Sequence, residues 1–447
     1  MNRMHKYARL LTEIEQRIEA GEWKDGERLP SIREFAKTHH VSNSTVIAAY
    51  AELERRHLIY AIPKSGYRVV KQTRERQPDH HAPLDFASAS PDPAVFPYLD
   101  FQHCINKAID TYQNDLFTYG TASGLPSLVA ALPSFLADDQ VFTKPQRIAI
   151  TSGVQQALSL LVTMPFPNKK QTVLIEQPSY HLLIKLLAMY NIPVIGIERT
   201  ADGIDLDELE RIFQKEPIKF FYTMPRFHNP LGTSLSAKQK KAIVELARAY
   251  EVYLVEDDYV ADFETDAKVD PMYAYSPNDT VIYLKSYSKI LFPGLRVGVA
   301  VLPEELCEIF ATHKQLHDID SSMLSQAALE IYYKSGMFAR HKEKIRSSYS
   351  NRSERLREAL AAQALDGAIN MPLPHFVHTC LSLETAGAVS AAIQRLRKRG
   401  VIASSADECF LAAGSSKPLL RLNVSRVPEE AIARGVEEIF AVLGNKR

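Results

Sequence analysis

The sequence predicts an α/β protein in two parts: a small N-terminal winged helix-turn-helix and a larger unit built on a mainly parallel sheet. Two observations carry that expectation. Within the first seventy residues, three stretches of helical period precede a short hairpin pattern. From about Leu84 on, short apolar strands alternate with helical stretches, which argues for helices packed on both faces of a parallel sheet.

Bulk properties set wide limits. The 447 residues leave room for two or three domains, and 46% hydrophobic with 24% charged residues is ordinary for a globular protein. No apolar run is long enough to cross a membrane, and the polar start Met1-Asn2-Arg3 is unlike a secretory signal. Cys104, Cys307, Cys380 and Cys409 are far apart and form no CxxC pair, so reduced thiols in a cytoplasmic protein are expected. His39-His40 and His80-His81 read as solvated loop pairs, and no metal site is expected. The net charge is zero, but residues 1–75 hold 14 Lys/Arg against 10 Asp/Glu, leaving a basic small part on an acidic large one. That polarity suits a nucleic-acid partner without requiring one.

The elements of the first part follow in order. Leu10, Leu11, Ile14 and Ile18 recur with helical period between Tyr7 and Trp23, and Gly21 ends that helix. Ser31 with Glu34 three residues later is a capping-box pattern, opening a helix to about Thr38. Ser42 caps a third helix to about Arg56, with Val46, Ala49, Tyr50 and Leu53 on its inner face. Leu58–Tyr60, a turn at Pro63–Gly66, and Tyr67–Val70 then form a hairpin. Three helices and a hairpin in this order make a winged helix-turn-helix, whose third helix is shaped for a major groove.

Three runs within this part resemble the GntR-family DNA-binding domain. They are Gly26-Glu27-Arg28-Leu29-Pro30-Ser31-Ile32-Arg33, then Val41-Ser42 with Thr45-Val46 and Ala49-Tyr50, then Ser65-Gly66-Tyr67. The resemblance implies double-stranded DNA as a partner. It places Arg33, Ser42, Asn43, Ser44, Thr45 and the wing residues Lys64, Gly66 and Tyr67 toward it. Asn43 stands where that family usually has Arg. Asn reads adenine with two hydrogen bonds, so the base preference is expected to differ. The domain is assigned to residues 1–70, and the charged, proline-bearing stretch 71–83 reads as a short polar linker.

In the remainder, residues 84–447, expected strands include Arg147–Thr151, Thr172–Glu176, Pro193–Ile197, Phe220–Met224, Val252–Glu256, Val281–Lys285 and Gly298–Leu302. Ligands in such sheets bind beyond the carboxyl ends of the strands, and Asn229, Asp257 and Lys289 each follow one. With Tyr259 and Arg296 they make the set that pyridoxal phosphate requires. The cofactor needs an amine to bond to its aldehyde, a carboxylate to hold its ring nitrogen protonated, donors for its phenolic oxygen, and hydroxyls and cations for its phosphate. Taken singly each residue has an ordinary reading; Lys289 could be any surface lysine. Order and spacing together make the case.

This second part resembles the fold-type I aminotransferases, with a large and a small domain. The whole chain resembles the MocR subfamily of GntR regulators. The resemblance implies Lys289 as the residue bonded to pyridoxal phosphate, Asp257 on the pyridinium nitrogen, and Asn229 and Tyr259 on the phenolic oxygen. Tyr180 would stack on the ring. Gly153, Val154 and Gln155 would cradle the phosphate at a helix N-terminus, completed by Ser286, Ser288 and Arg296. Tyr119 would reach the phosphate of the neighbouring subunit in a homodimer, and Arg421 would grip the α-carboxylate of an amino acid or amine effector. Phe376-Val377 stand before His378 where the family often has Gly-Leu, which is expected to narrow the pocket. The expectation is a transcription regulator that senses an amino compound or the cofactor itself, without efficient turnover. A working aminotransferase with an accessory DNA-binding domain is the alternative.

Overall fold

A computed structural model gives the architecture and describes residues 2–24, 26–55, 58–62, 66–69, 83–266, 268–276, 280–363, 376–411 and 417–444. The chain divides between Ala82 and Pro83 into two compact units. The wing residues Pro63, Lys64 and Ser65, and the linker through residue 82, lie outside the described residues.

The first unit runs α1 (Asn2–Glu19), α2 (Ile32–Thr38), α3 (Asn43–Arg55), β1 (Ile59–Ile62) and β2 (Gly66–Val69), the two strands pairing antiparallel. α1 begins ahead of the apolar period, because that period marks only the buried stripe and not the polar first turn. It stops at Glu19, and Gly21 takes the left-handed φ of 74°, which leaves Trp23 outside the helix. Trp23 packs instead on Phe35 at 6.4 Å, beneath the Arg17 guanidinium at 4.4 Å. The capping box forms: Ser31 Oγ accepts from the Glu34 N–H at 3.2 Å, and the Glu34 carboxylate accepts from the Ser31 N–H at 3.4 Å. Ile14, Val46, Ala49, Tyr50 and Leu53 build the core. Tyr50 ties its ends together, donating to the Pro30 carbonyl at 2.9 Å and meeting the Tyr67 ring edge-on at 5.0 Å.

The second unit opens with β3 (Leu84–Asp85) and then builds an eight-stranded sheet. Its strands are β4 (Ile148–Thr151), β5 (Thr172–Gln177), β6 (Val194–Thr200), β7 (Gly203–Ile204), β8 (Ile218–Thr223), β9 (Tyr253–Asp257), β10 (Val281–Ser286) and β11 (Gly298–Val301). They lie in the order β4-β11-β10-β9-β8-β5-β6-β7. β6, β5, β8, β9 and β10 run parallel; β11 runs antiparallel to both its neighbours, and β7 folds back on β6. Successive residues feed opposite faces: Leu254 enters one core, while Tyr253 and Val255 enter the other. Burial on both faces is why these strands read as nearly continuous apolar runs.

Among the described residues four further strands follow: β12 (His378–Ser382), β13 (Val401–Ile402), β14 (Ser404–Ser405) and β15 (Leu419–Asn423). They form a small sheet in the order β12-β15-β14, and β13 pairs parallel with β3. Among the described residues no helix is long and apolar enough to cross a membrane.

Candidate functional site

The carboxyl ends of β4, β5, β8, β9 and β10 point to one edge of the large sheet, and the reversed β11 begins there. Asp257 is the last residue of β9 and is almost fully buried. Its Oδ2 accepts from Tyr222 Oη at 2.7 Å, whereas its Oδ1 is buried without a partner. Burial raises this carboxyl to about 7, against the lowering effect of the Tyr222 hydrogen bond. Lys289, three residues past β10, donates to the Ala89 carbonyl. Desolvation and the nearby Arg421 charge lower its amine to about 8.

Tyr180 precedes the helix His181–Met189, near enough to Asp257 and Arg296 for both charges to act on its hydroxyl. Desolvation raises its hydroxyl to about 12. Tyr259 Oη donates to the Phe227 carbonyl at 3.0 Å, an engagement within the protein that the sequence did not suggest. Asn229 lines a small cavity together with Lys289, Tyr259 and His378.

The helix Val154–Thr163 begins at Gly153, which has φ 80° and offers no side-chain cap. The Gly153 N–H donates to the Thr151 carbonyl at 2.8 Å, and Val154 and Gln155 stand in the first turn, whose N–H groups have no partner within a helix. Arg296 lies over this turn, donating to the Ser152 carbonyl at 2.6 Å. Glycine suits this position, because a φ of 80° strains any residue with a side chain and a Cβ here would stand 2.8 Å from the guanidinium, which would have to shift. Ser286 and Ser288 flank the same edge, the Ser288 N–H donating to Ser286 Oγ at 3.3 Å.

Arg421 is central in β15, opposite Cys380 of β12 and Ser404 of β14, and reaches the Ala87 carbonyl at 3.5 Å. Its charge is felt at Lys289, Tyr259 and His378, which places it at the same centre. Tyr119 is elsewhere: it is 81% exposed on the surface of this chain.

Sequence reasoning missed several participants. Tyr222 sits inside an apolar strand run, where a tyrosine carries no separate signal. His378 Nε2 donates to the His228 carbonyl at 3.0 Å, and burial pushes its ring down to about 4, so it is neutral near pH 7. Arg226 and Asp258 form a buried ion pair at 2.9 Å that fastens the Asn229 loop to the turn carrying Asp257. An arginine three residues before Asn229 and an aspartate beside Asp257 were visible, but their pairing was not.

In the first unit, Ser42 Oγ accepts from the Thr45 N–H at 3.2 Å and contacts the Ser44 and Thr45 hydroxyls at 2.7 and 2.8 Å. Asn43 and Ser44 are exposed at that helix start, and Arg33 is exposed on α2. Gly66 is exposed at φ 86°, and Tyr67 is half-buried against Tyr50.

Residues 94–439 match the family "Aminotransferase class I and II", and residues 6–69 match "Bacterial regulatory proteins, gntR family". An uncharacterized HTH-type transcriptional regulator of Bacillus subtilis, YcxD, is 54% identical over 98% of this chain and 100% of its own length. Aromatic-amino-acid aminotransferase 1 of Thermococcus litoralis is 29% identical over 80% of this chain and 87% of its own. Among solved structures, the kynurenine aminotransferase of Pyrococcus horikoshii superposes with a TM-score of 0.74 at 25% identity, covering 82% of this chain and 91% of that one. LysN, the α-aminoadipate aminotransferase of Thermus thermophilus, gives 0.73 at 25% identity over 81% and 92% of the two chains. The chain belongs to the class I and II aminotransferase family through its larger unit and to the GntR regulators through its smaller one, the pairing that defines MocR-type regulators.

Proposed function

We propose that this protein is a DNA-binding transcription regulator whose larger unit holds pyridoxal phosphate and reads an amino compound. The single observation that carries the cofactor reading is the buried, unpartnered Oδ1 of Asp257. A buried carboxylate oxygen without a donor is costly, and a protonated ring nitrogen is the donor it lacks. The rest of the set fits the group. Lys289 would bond to its aldehyde, Tyr180 would cover its ring, and Val154, Gln155 and Arg296 with Ser286 and Ser288 would hold its phosphate.

When bound, the cofactor supplies an electron-poor ring that exchanges one amine for another at its aldehyde carbon. The chain's own residues do the remainder. Lys289, with its amine lowered to about 8, keeps a useful neutral fraction near pH 7. Asp257, held by Tyr222, keeps a proton on the ring nitrogen. Arg421 binds the carboxylate of an amino acid effector, in exchange for its contact with the Ala87 carbonyl. Tyr119, exposed on this chain, would reach the site of a second copy in a homodimer. Arg33, Asn43, Ser44 and Thr45 would meet DNA, together with Lys64 of the wing.

Asn229, which shares the small cavity with Lys289, and the aminotransferase relatives support a second reading, a working aminotransferase. The joint experiment measures DNA affinity of the full-length, cofactor-loaded protein with and without a panel of amino acids, alongside keto-acid release. A regulator gives altered DNA affinity and little sustained release. Coupling must be reciprocal, so DNA must shift effector affinity by the same factor. Unchanged DNA affinity with rapid sustained release would replace the regulator with the enzyme. Borohydride reduction should attach the cofactor to Lys289, and attachment to another lysine would refute the site.

A further inference from the structure

Behind the small cavity that Lys289, Asn229 and His378 share lies a second, much larger one. The first is 30 Å³; the second is an open groove of 1030 Å³. Tyr349 and Phe376 line both, so these two rings are the partition between them. The partition is firmly built. Phe376 stacks on Phe227 at 4.8 Å and 26°, meets Phe263 at 5.3 Å, and stands edge-on to His378 at 5.6 Å. Tyr349 packs on Phe263 at 4.7 Å, and the Arg352 guanidinium sits 6.0 Å from its ring. Arg352 is itself anchored by Asp92 at 2.6 Å and by the Ser425 carbonyl at 2.6 Å.

Volume decides what such a cavity admits. A space of 30 Å³ holds about two water molecules, whereas a cavity that takes up benzene is roughly 150 Å³. A methyl-sized side chain fits on the near side of the partition, and an aromatic one does not. The groove beyond has room for a large group, and two of its cations are engaged within the protein. Lys240 donates to the Asp270 carbonyl at 2.7 Å, and Arg346 donates to the Asp262 and Glu264 carbonyls at 2.5 and 2.7 Å.

We propose that Phe376, backed by Phe227 and Tyr349, limits the effector to amino compounds with short side chains, and that removing its ring opens the Lys289 site into the groove. This rests on the reading of the site as a pocket for amino compounds. Phe376 acts by shape alone and exchanges no proton or bond with the ligand.

The test titrates full-length, cofactor-loaded wild type, Phe376→Leu and Phe376→Ala with glycine, alanine, phenylalanine and tyrosine, read by the visible spectrum of the cofactor. All four carry the same amine and carboxylate and differ only in side chain. Wild type should prefer the better of the two small compounds over the better aromatic one by at least tenfold. That ratio should fall in Phe376→Leu and fall further, to parity or reversal, in Phe376→Ala. A wild type that binds both groups equally, or a ratio that stays constant across all three proteins, overturns the partition while leaving the amino-compound reading intact. A spectrum unmoved by any of the four in any variant overturns both together.

Discussion

Replacing Asp257 by asparagine should remove a pH-dependent penalty that the cofactor-free protein carries. The carboxyl is almost fully buried, with one oxygen held by Tyr222 and the other unpartnered, and its folded-state value is raised from 3.8 to about 7. Between those values the folded chain keeps a proton that the unfolded chain has released. Stability therefore falls as pH rises from about 4 and levels off above about 7. A rise of about 3 units corresponds to ~4 kcal/mol in all, of which ~2 kcal/mol falls between pH 5.5 and 8.5. Asparagine keeps an acceptor for the Tyr222 hydroxyl and has no charge to desolvate. Glu256 and Asp258 also have raised values and titrate in both proteins, and Asp258, whose charge adds to the Asp257 shift, enters the difference only through that coupling. The assay is urea unfolding of cofactor-free wild type and Asp257→Asn, followed by far-UV circular dichroism across that pH window. The variant should gain on wild type by ~2 kcal/mol from pH 5.5 to 8.5, and bind the cofactor more weakly. Parallel pH profiles for the two proteins would refute the assignment of a buried, unpartnered carboxylate.

Three other outcomes follow from the same geometry. Gly153→Ala places a Cβ 2.8 Å from the Arg296 guanidinium at a φ of 80°, so it should weaken cofactor affinity by more than tenfold in an absorbance titration. Ser31→Ala deletes half of the capping box and should destabilise the smaller unit by ~1 kcal/mol. Trp23 is the one tryptophan in the sequence and packs on Phe35, so its fluorescence follows that unit alone. Arg33→Ala should weaken operator binding and reduce the slope of log affinity against log salt by about 0.9 if one phosphate contact is lost.

The large sheet was legible because its strands are buried on both faces and therefore read as apolar runs; β5, β8, β9 and β10 fall within two residues of expectation. The residues that would hold the cofactor were legible because chemistry fixes their types and the sheet edge fixes their order. Direction was not: a short apolar run such as Gly298–Val301 carries no signal for which way its neighbours run, so the reversal of β11 was hidden. Two-residue strands such as β7 and β13 are too short to carry a period. Backbone carbonyls are equally silent, and the Ala87 and Ala89 oxygens that meet Arg421 and Lys289 belong to residues with no chemistry of their own. The Phe376 partition depends on rings from four separated segments, which only folding brings together.

The reversal of β11 works as a routing device. A strand of four residues advances roughly 13 Å. Had the chain crossed back to enter β11 in the direction of its neighbours, Arg296, two residues before the strand, would open on the far rim of the sheet. Running it backwards lets the turn from Lys289 to Arg296 stay on one rim, so a single short excursion delivers both the amine and the guanidinium to one address. The cost of that economy is visible at the crossing. Gly298 passes so close that a Cβ there would stand 2.7 Å from the Gly153 carbonyl carbon, and the doorstep of β11 is thereby closed to every residue with a side chain.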